Sequence, residues 1–224
     1  MSLEQHIVTD YRTARAQSRA AERRVILDAA GYLLAREGAA ALTMRRLAQE
    51  LACSTQVLYT MFHNKEGIVD GLYLEGFDRL RQALEEAPVA ADPLDTLRAI
   101  GWAYRTFALT NPTYYQVMFT HAVPGFTPPE ASLRRSHRSF AVLQEAVARC
   151  MTAGIFTDGD AEEVADMLWA MVHGLVSLEL AGYFPHPENA RRRFALTLEA
   201  VEAGLLRGAR AGAAPASPPP DAGA

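Results

Sequence analysis

The sequence contains very little cysteine, and this excludes two classes of protein. Its 224 residues include only two cysteines, Cys53 and Cys150, which lie far apart in the chain. Two distant thiols cannot form a disulfide framework or a cysteine-rich metal site. We therefore expect both to be ordinary half-buried thiols in a chain long enough for one large or two small domains.

Long hydrophobic runs are also absent. Although 50% of the residues are hydrophobic, no segment approaches the roughly 20 consecutive apolar residues that a bilayer-spanning helix needs. Residues 1–10 lack the apolar centre and the cleavage site of a secretory signal. We therefore expect a globular cytoplasmic protein with no membrane partner.

Lysine is nearly absent, and the positive charge is concentrated at the N-terminal end. Lys65 is the only lysine, and the net charge of the whole chain is −4. Residues 1–66 hold nine Lys/Arg against seven Asp/Glu, a balance of +2, which leaves 13 against 19, or −6, for the remainder. Because a partner responds to local charge, the N-terminal segment is the better candidate for binding an anionic partner.

Recognisable catalytic patterns are missing as well. No histidine lies three residues after a glutamate, so the Glu-x-x-His pair of di-iron bundles is absent. The zinc-protease, nucleophile-elbow, dinucleotide-binding and P-loop patterns do not occur either. The six histidines show no spacing typical of zinc ligands on one helix. We therefore expect no enzyme activity, no cofactor and no metal site.

The apolar positions follow helical spacing throughout, which predicts an all-α fold. A first helix is predicted over residues 21–37, where Gly38 provides the stop. Further helices are predicted near residues 43–51, 55–62, 65–84, 93–110, 112–120, 129–153, 160–183 and 188–207. The polar segment before Arg19 and the Ala- and Pro-rich tail after Gly208 cannot bury enough surface to order themselves, so we expect both to be mobile.

Two short helices joined by a tight turn form a predicted helix-turn-helix over residues 43–62. Such a unit, after a supporting helix, sets its second helix into the major groove of DNA. Thr43 is placed to cap the first short helix, and Ser54 is placed to cap the second. Thr55 and Gln56 lie in the first turn of that second helix, where side chains reach base edges, and glutamine can bond to adenine through two hydrogen bonds.

The residues one turn later are suited to the DNA backbone. Tyr59 and Thr60 can bond to phosphate oxygens. Lys65 stands at the start of the following helix, where its ammonium and the free backbone amides would both attract a phosphate. An ordinary small helical core with solvated polar residues explains the same spacing equally well, and its members would be Leu47, Leu51, Leu58 and Phe62.

A set of more specific residues runs through this segment without gaps. They are Thr43, the Leu47-Ala48 pair, Ser54, the Leu58-Tyr59 pair, Phe62 and the Lys65-Glu66 pair. With this set, residues 21–70 resemble the DNA-binding domain of the TetR family of repressors. The family usually has glycine where Ala52 stands and an aromatic residue where Met61 stands, so Ala52 predicts a slightly different turn geometry. The resemblance implies DNA contacts by Thr43, Arg45, Thr55, Gln56, Tyr59, Thr60 and Lys65.

Five arginines precede or open the first helix, and two interpretations of them remain open. They are Arg12, Arg15, Arg19, Arg23 and Arg24. A basic arm of this kind could lie along DNA phosphates or enter a minor groove. A solvated basic tail explains the same residues, and we slightly favour that simpler interpretation.

Residues 164–184 are apolar on nearly every face, so this helix needs more neighbours than one small core supplies. A stripe of small residues would let another helix approach it closely; these are Ala170, Gly174, Ser177 and Ala181. The last helix offers a matching face, formed by Phe194, Leu198, Val201 and Leu205. Two such helices from each of two chains predict the four-helix interface of a homodimer, and packing within one chain is the alternative.

Two further segments carry a second resemblance. TrpAlaMetValHisGly at 169–174 and AsnProThrTyrTyrGlnValMetPhe at 111–119 resemble the C-terminal domain called WHG in TetR-like regulators. The resemblance implies an inducer pocket, and the residues expected to line it are Trp102, Tyr104, Phe107, Tyr114, Met118, Phe140, Met167, Met171 and His173. Ligand cavities are mainly apolar, but the same residue types also fill ordinary cores. For His173, ligand contact and hydrogen bonding within the core both remain open.

Together these features predict an all-α homodimer with four segments. They are a flexible basic arm over residues 1–20, a helix-turn-helix DNA-binding domain over 21–68, a ligand-binding and dimerisation domain over 69–208 and a disordered tail over 209–224. We expect a transcriptional repressor that a small-molecule inducer of unknown identity releases from a palindromic double-stranded DNA operator. The alternative is a helical small-molecule-binding dimer without a DNA role.

Overall fold

The computed structural model describes residues 3–120, 122–156 and 160–211, and within these ranges it has nine α-helices and no strand. The helices are α1 (Leu3–Glu37), α2 (Met44–Glu50), α3 (Thr55–Phe62), α4 (Lys65–Glu85), α5 (Pro93–Thr110), α6 (Pro112–Phe119), α7 (Glu130–Thr152), α8 (Ala161–Leu180) and α9 (Pro187–Ala211). The predicted all-α class is confirmed, and from α2 onward each helix lies within a few residues of its predicted bounds. No helix of the described ranges is both long and apolar enough to cross a membrane.

The first helix is much longer than the sequence predicts. Helical spacing places its start near residue 21, but α1 begins at Leu3, so the predicted start is wrong. Every side chain from Arg12 to Glu22 is exposed, and the first buried side chain of the described residues is Ile26. The arm lacks an apolar period because no core covers it. Its Ala, Arg and Gln residues are good helix formers, so they extend a helix that the core-facing turns nucleate.

At the other end of the chain, α9 continues to Ala211, beyond the predicted stop near Gly208. The remainder of the predicted disordered tail, residues 212–224, lies outside the described residues.

The chain packs into two compact units. The first combines residues up to Glu85 with Thr106–Phe140, and the second combines Glu86–Arg105 with residues from Ala141 onward. This division differs from the functional boundary predicted at residue 68, because α4 and α6 pack on each other and both pack on α1. The short helix α6, which the sequence assigns to the ligand-binding domain, therefore packs on α1 and α4 in the same unit as the helix-turn-helix.

The first unit has a core shared by α1, α2, α3, α4 and α6. Leu47 of α2, Leu58 of α3 and Leu72 of α4 are completely buried in it. α4 and α6 approach so closely that a Cβ added to Gly76 would stand 2.6 Å from the Sδ atom of Met118. This core holds one face of α2 and α3, so their opposite face is left at the surface of the unit.

In the second unit, aromatic and ionic contacts join α5, α8 and α9. The rings of Trp102 and Phe194 have centroids 4.9 Å apart. Arg105 of α5 and Glu179 of α8 form an ion pair whose side chains are only 11% and 12% exposed. Two hydrogen bonds from the guanidinium to the carboxylate compensate the cost of burying these charges.

The two cysteines differ in their surroundings. Cys53 is half-buried, as expected, but Cys150 is completely buried in α7, so the expectation of two half-buried thiols is wrong for Cys150. Burial raises the pKa of the Cys150 thiol to about 11, because the thiolate loses its hydration.

Candidate functional sites

A Schellman motif ends α2 and sets the turn into α3. The Cys53 amide donates to the Ala48 carbonyl at 3.0 Å, and the Ala52 amide donates to the Gln49 carbonyl at 3.2 Å. This pattern requires a left-handed residue at Ala52, which has φ of 50°. The predicted change of turn geometry is therefore wrong, since alanine adopts the conformation normally given to glycine. It does so at a cost in backbone strain.

The two short helices are capped differently. Thr43 is the N-cap of α2, and its Oγ1 accepts a hydrogen bond from the Arg46 amide at 3.1 Å, as predicted. Ser54 occupies the N-cap position of α3 with φ −78° and ψ 147°, but its side chain makes no capping hydrogen bond. The predicted capping role of the Ser54 side chain is therefore wrong, because its position alone does not orient its hydroxyl towards the first-turn amides.

Four of the predicted DNA contacts share one exposed face of α3. At 3.6 residues per turn they fall within an arc of about 140°, and they are Thr55, Gln56, Tyr59 and Thr60. Tyr59 is 47% exposed despite being aromatic, whereas Leu58 and Phe62 on the other face are buried. Thr60 Oγ1 donates to the Gln56 carbonyl at 2.8 Å, which holds its side chain against the helix. The amphipathic division of α3 therefore presents polar groups together on the outside.

The adjacent arginines of α2 have different surroundings. Arg46 forms ion pairs with Glu37 at 2.9 Å and with Glu50 at 2.8 Å, and its hydrogen bonds to these carboxylates raise its pKa. Arg45 is exposed, and no ion pair among the described residues includes it. The charge of Arg46 is therefore neutralised within the protein, whereas Arg45, the predicted DNA contact, presents a free positive charge.

Lys65 begins α4 and is anchored to the turn that follows α1. Its Nζ donates to the Ala39 carbonyl at 2.9 Å, and its side chain is half-buried. An ammonium has three N–H donors, so this bond leaves two of them for another acceptor. The sequence predicts a phosphate contact for Lys65 but not this structural contact, which joins the start of α4 to the chain preceding α2.

Asn64 and Gly67 shape the connection from α3 to α4, and the sequence analysis missed both. Asn64 Oδ1 accepts a hydrogen bond from the Gly67 amide at 2.8 Å, which caps α4. A Cβ on Gly67 would stand 1.9 Å from the Phe62 carbonyl oxygen, so only glycine fits there. His63, between the two helices, has φ of 66°. Asparagine is a preferred N-cap residue, and its place directly before the predicted helix at Lys65 is the signal that could have found it.

Four predicted ligand contacts belong to the first unit, and they are Phe107, Tyr114, Met118 and Phe140. All are buried except Phe140, which is half-buried. The Tyr114 hydroxyl donates to Asp28 Oδ1 at 2.8 Å, and the guanidinium carbon of Arg79 lies 4.4 Å from the centroid of the Tyr114 ring. Burial raises the pKa of the Tyr114 hydroxyl, so the group remains a neutral donor. Tyr114 thus links α6 to α1 and α4.

The other five predicted ligand contacts belong to the second unit, and they are Trp102, Tyr104, Met167, Met171 and His173. The Tyr104 hydroxyl lies 2.9 Å from Nδ1 of His173, and the His173 and Trp169 ring centroids are 5.5 Å apart. Burial lowers the pKa of His173, which favours the neutral ring. The hydrogen bonding within the core that the sequence left open for His173 is therefore present. Met167, in contrast, is 44% exposed on the surface of α8.

One face of α8 is exposed and apolar. Met167 and Leu178 are 44% and 43% exposed, and three small residues are exposed along the same side of the helix, namely Ala170, Gly174 and Ala181. A Cβ added to Gly174 would meet no heavy atom within 4 Å. The predicted small-residue stripe is therefore largely open at the surface of the isolated chain.

The matching face predicted on α9 is wrong for Phe194 and is reduced at Leu198, which is half-buried. Phe194 is 1% exposed and packs on Trp102, and a Leu198 methyl carbon lies 3.5 Å from a Cβ added to Gly101. These two α9 side chains pack on α5 of their own chain, so Phe194 is not available to a partner. The large apolar side chain that α9 exposes is Leu196, which is 50% accessible.

Two family models match separate parts of the chain. Residues 26–72 match the model described as bacterial regulatory proteins, tetR family. Residues 97–201 match the model described as tetracyclin repressor-like, C-terminal domain. The first match covers the helix-turn-helix with the start of α4, and the second extends from α5 into α9.

Individual proteins show the same similarity. The chain is 25% identical to an HTH-type transcriptional regulator of Mycobacterium bovis, over 66% of this chain and 75% of that protein. It is 27% identical, with a TM-score of 0.70, to a solved protein of unknown function from Rhodococcus sp. RHA1, over 82% of this chain and 95% of the other. A TetR family transcriptional regulator from Thermus thermophilus is 25% identical, with a TM-score of 0.62, over 78% of this chain and 97% of the other.

Proposed function

The chain belongs to the TetR family of transcriptional regulators and carries its helix-turn-helix DNA-binding domain, and from this premise we propose that it is a ligand-responsive repressor. As a homodimer it binds a palindromic operator, and a small-molecule inducer releases it. The matching family and the Mycobacterium bovis relative are described as regulators, and the proposal contains no catalytic step.

The observation that carries the proposal is the two-sided character of α3. Leu58 and Phe62 anchor the helix in the core, so its outer face must carry Thr55, Gln56 and Tyr59. A glutamine amide can donate to and accept from an adenine edge, and hydroxyl groups suit phosphate oxygens. The free charge of Arg45 adds an electrostatic contact to the DNA backbone.

Selection of sheared genomic DNA by the purified protein at near-physiological salt tests this function. Sequencing of the retained fragments should give an imperfect palindrome whose half-sites lie about one helical turn, or a multiple of it, apart. Retention without a motif, or no retention, would instead support the second candidate, a helical ligand-binding dimer without a DNA role. The position of Arg45 in the helix-turn-helix and of Lys65 directly after it, rather than in the arm alone, favours the DNA-binding function.

We place the subunit interface on the exposed face of α8. Small side chains at Ala170 and Gly174 allow a helix of a second copy to approach, and the exposed Leu178 gives it apolar surface to bury. A twofold dimer of this kind presents two copies of α3 to the two halves of a palindrome.

A matched pair of substitutions tests this interface. Ala170→Leu should lower the dimer fraction in sedimentation velocity, because the larger side chain prevents close approach. Ala148→Leu, at an exposed position of α7, makes the same chemical change elsewhere and should leave the dimer intact. Equal dimer affinity in the two variants would exclude this face of α8.

We propose that the inducer is a partly apolar molecule with a hydrogen-bonding group. In the second unit, Trp102 and Met171 offer apolar surface, and the Tyr104 and His173 pair offers a donor and an acceptor. A compound library screened by thermal shift should contain ligands that also weaken operator binding. For such a ligand, Tyr104→Phe should reduce affinity if the hydroxyl takes part in recognition, and unchanged affinity would remove Tyr104 from the site.

The route from ligand to DNA is proposed to run through α4. This helix starts at Lys65 beside the helix-turn-helix and packs on α6, which carries Tyr114 and Met118. Inducer binding shifts α4 and thereby changes the separation of the two α3 helices in a dimer. A coupling free energy of about 1 to 3 kcal/mol corresponds to a loss of DNA affinity of about 5- to 150-fold, so no refolding is required.

A further inference from the structure

The arginines at the start of α1 form a stripe along one side of a continuous helix. Arg12, Arg15, Arg19 and Arg23 are spaced by three, four and four residues. At 3.6 residues per turn, this spacing places all four within an arc of about 80°. A flexible tail would have no such fixed face, so the stripe exists only because the helix starts at Leu3 rather than near residue 21.

The charge of the outer stripe is not neutralised within the described part of the protein. Arg12, Arg15 and Arg19 are exposed, and no described ion pair includes them. Arg24, which lies off the stripe, is paired with Glu75. Three exposed guanidinium groups on successive turns make this side of α1 locally positive, which favours an anionic partner along it.

Arg23 fixes the direction in which the stripe faces. Its guanidinium carbon lies 4.4 Å from the centroid of the Phe62 ring, and Phe62 is the last residue of α3. Arg23 is half-buried, and burial lowers its pKa despite the nearby Asp70 and Glu75 carboxylates. Because the outer arginines share the face of Arg23, the stripe follows the side of α1 that meets the end of α3. The stripe therefore starts beside the C-terminal end of the helix that carries the predicted base contacts.

We propose that Arg12, Arg15 and Arg19 bind the phosphate backbone of duplex DNA flanking the half-site that α3 reads. Arg12 and Arg19 are separated by about 10 Å along the helix axis. Measured along the duplex axis, that length corresponds to about three base pairs at about 3.4 Å each, and a guanidinium can donate two parallel hydrogen bonds to one phosphate. The inference rests on the proposed function and extends its DNA site with a sequence-independent contact.

The salt dependence of operator binding tests the stripe directly. The full-length variant with Arg12→Ala, Arg15→Ala and Arg19→Ala is compared with the parent by fluorescence anisotropy on the operator found by genomic selection. Each lost phosphate contact should reduce the slope of log affinity against log salt by about 0.9, or about 2.7 for each protomer. From about 50 to 200 mM salt, the parent should then lose about 40-fold more affinity per protomer than the variant. Alanine is a strong helix former, so circular dichroism should show that α1 is retained.

A charge-matched control separates this effect from a change of net charge. Arg149, Arg192 and Arg193 are also exposed and outside any described ion pair, and they belong to the second unit. Replacing these three with alanine should leave the parent slope unchanged. The triple replacement of the stripe arginines by lysine should restore most of the slope, because each position regains a positive charge.

The duplex length gives a second readout. On a duplex trimmed to the two half-sites, the parent and the stripe variant should bind with the same slope, whereas flanking base pairs should steepen the slope of the parent alone. If the stripe variant keeps the parent slope on the long duplex, or if the control variant loses as much, the stripe does not bind DNA. If the parent itself shows no specific DNA binding, the proposed function fails, which is a distinguishable result.

Discussion

Tyr114 and Asp28 are joined by a hydrogen bond of 2.8 Å from the Tyr114 hydroxyl to Asp28 Oδ1, which links α6 to α1. Arg79 of α4 donates to the same oxygen at 2.8 Å, and it also lies over the Tyr114 ring. Three helices of the first unit therefore meet at one carboxylate. α6 cannot move relative to α1 without breaking a charge-assisted hydrogen bond.

Tyr114→Phe should destabilise the protein while preserving its packing. The loss of a hydrogen bond to a charged acceptor costs about 1.5 to 3 kcal/mol. Because the Asp28 side chain is 54% exposed, water replaces part of the bond, and we expect about 1 kcal/mol. Urea denaturation measures the change. As the control, Tyr32→Phe removes an exposed hydroxyl of α1 and should change the free energy of unfolding by less than about 0.5 kcal/mol. Equal losses of stability in the Tyr114→Phe and Tyr32→Phe variants would contradict the role of Asp28.

Ala52→Gly should stabilise the protein, which is unusual for a substitution to glycine. Ala52 has φ of 50°, where a Cβ is strained and glycine is not. The strain of about 1 to 2 kcal/mol outweighs the entropy that glycine adds to the unfolded chain, so a gain of about 0.5 to 1 kcal/mol is expected. Ala35→Gly, at an exposed position of α1, is the control. It should lower the free energy of unfolding by about 0.5 to 1 kcal/mol, because glycine is a poor helix former. A loss of stability in both variants would contradict the strain at Ala52.

Gly67→Ala should disrupt the junction of α3 and α4. The added Cβ would lie 1.9 Å from the Phe62 carbonyl oxygen, which is backbone and cannot rotate away. We expect a loss of at least about 2 kcal/mol of stability, together with loss of operator binding as the end of α3 shifts. Gly204→Ala is the control, because a Cβ added to this α9 glycine meets no heavy atom within 4 Å. Its free energy of unfolding should rise by about 0.5 to 1 kcal/mol. Thermal and urea unfolding compare the two, and a neutral Gly67→Ala would show that this close approach does not exist.

Backbone and base contacts of the helix-turn-helix should respond differently to substitution. Tyr59→Phe and Lys65→Ala should weaken binding to all DNA sequences alike, because phosphates carry no sequence information. Substitutions at Thr55 and Gln56 should instead change the preferred sequence, by about 1 to 3 kcal/mol for each base pair affected. Binding measured on operator and scrambled duplexes separates the two classes. If the Tyr59 and Lys65 variants bind the operator as well as the parent does, their assigned phosphate contacts are wrong.

His173 should make the protein less stable in mild acid. Burial lowers its pKa in the folded state, so the unfolded chain takes up a proton first as the pH falls. The free energy of unfolding should therefore be highest above the ordinary histidine pKa of about 6.5 and should decrease below it. His173→Gln keeps a hydrogen-bonding partner for Tyr104 and should flatten this dependence between pH 7 and 5. His137→Gln, at an exposed site, is the control and should leave the pH dependence of the unfolding free energy unchanged. Equal pH profiles for the parent and His173→Gln would contradict the role of His173.

Much of the fold could be predicted because its signals are local. Helical spacing of apolar residues and the cap at Thr43 predicted the bounds of α2 to α9 to within a few residues. The exposed face of α3 was predictable for the same reason, since burying Leu58 and Phe62 on one side leaves Gln56 and Thr60 on the other. The resemblance to the TetR family added Arg45, whose free charge the structure then distinguishes from the paired charge of Arg46.

The sequence by itself therefore determined the helical class, the order of the elements and the polar face of the helix-turn-helix, because these depend on neighbours a few residues apart. Only the tertiary structure decided which surface covers which. It placed Phe194 of α9 against Trp102 of its own chain, fitted Gly67 under the Phe62 carbonyl and grouped α6 with α1 and α4. The physical reason is that the type of an apolar or small residue indicates that it will be packed against something, but not against which residue. That partner is set only by the three-dimensional packing of the chain.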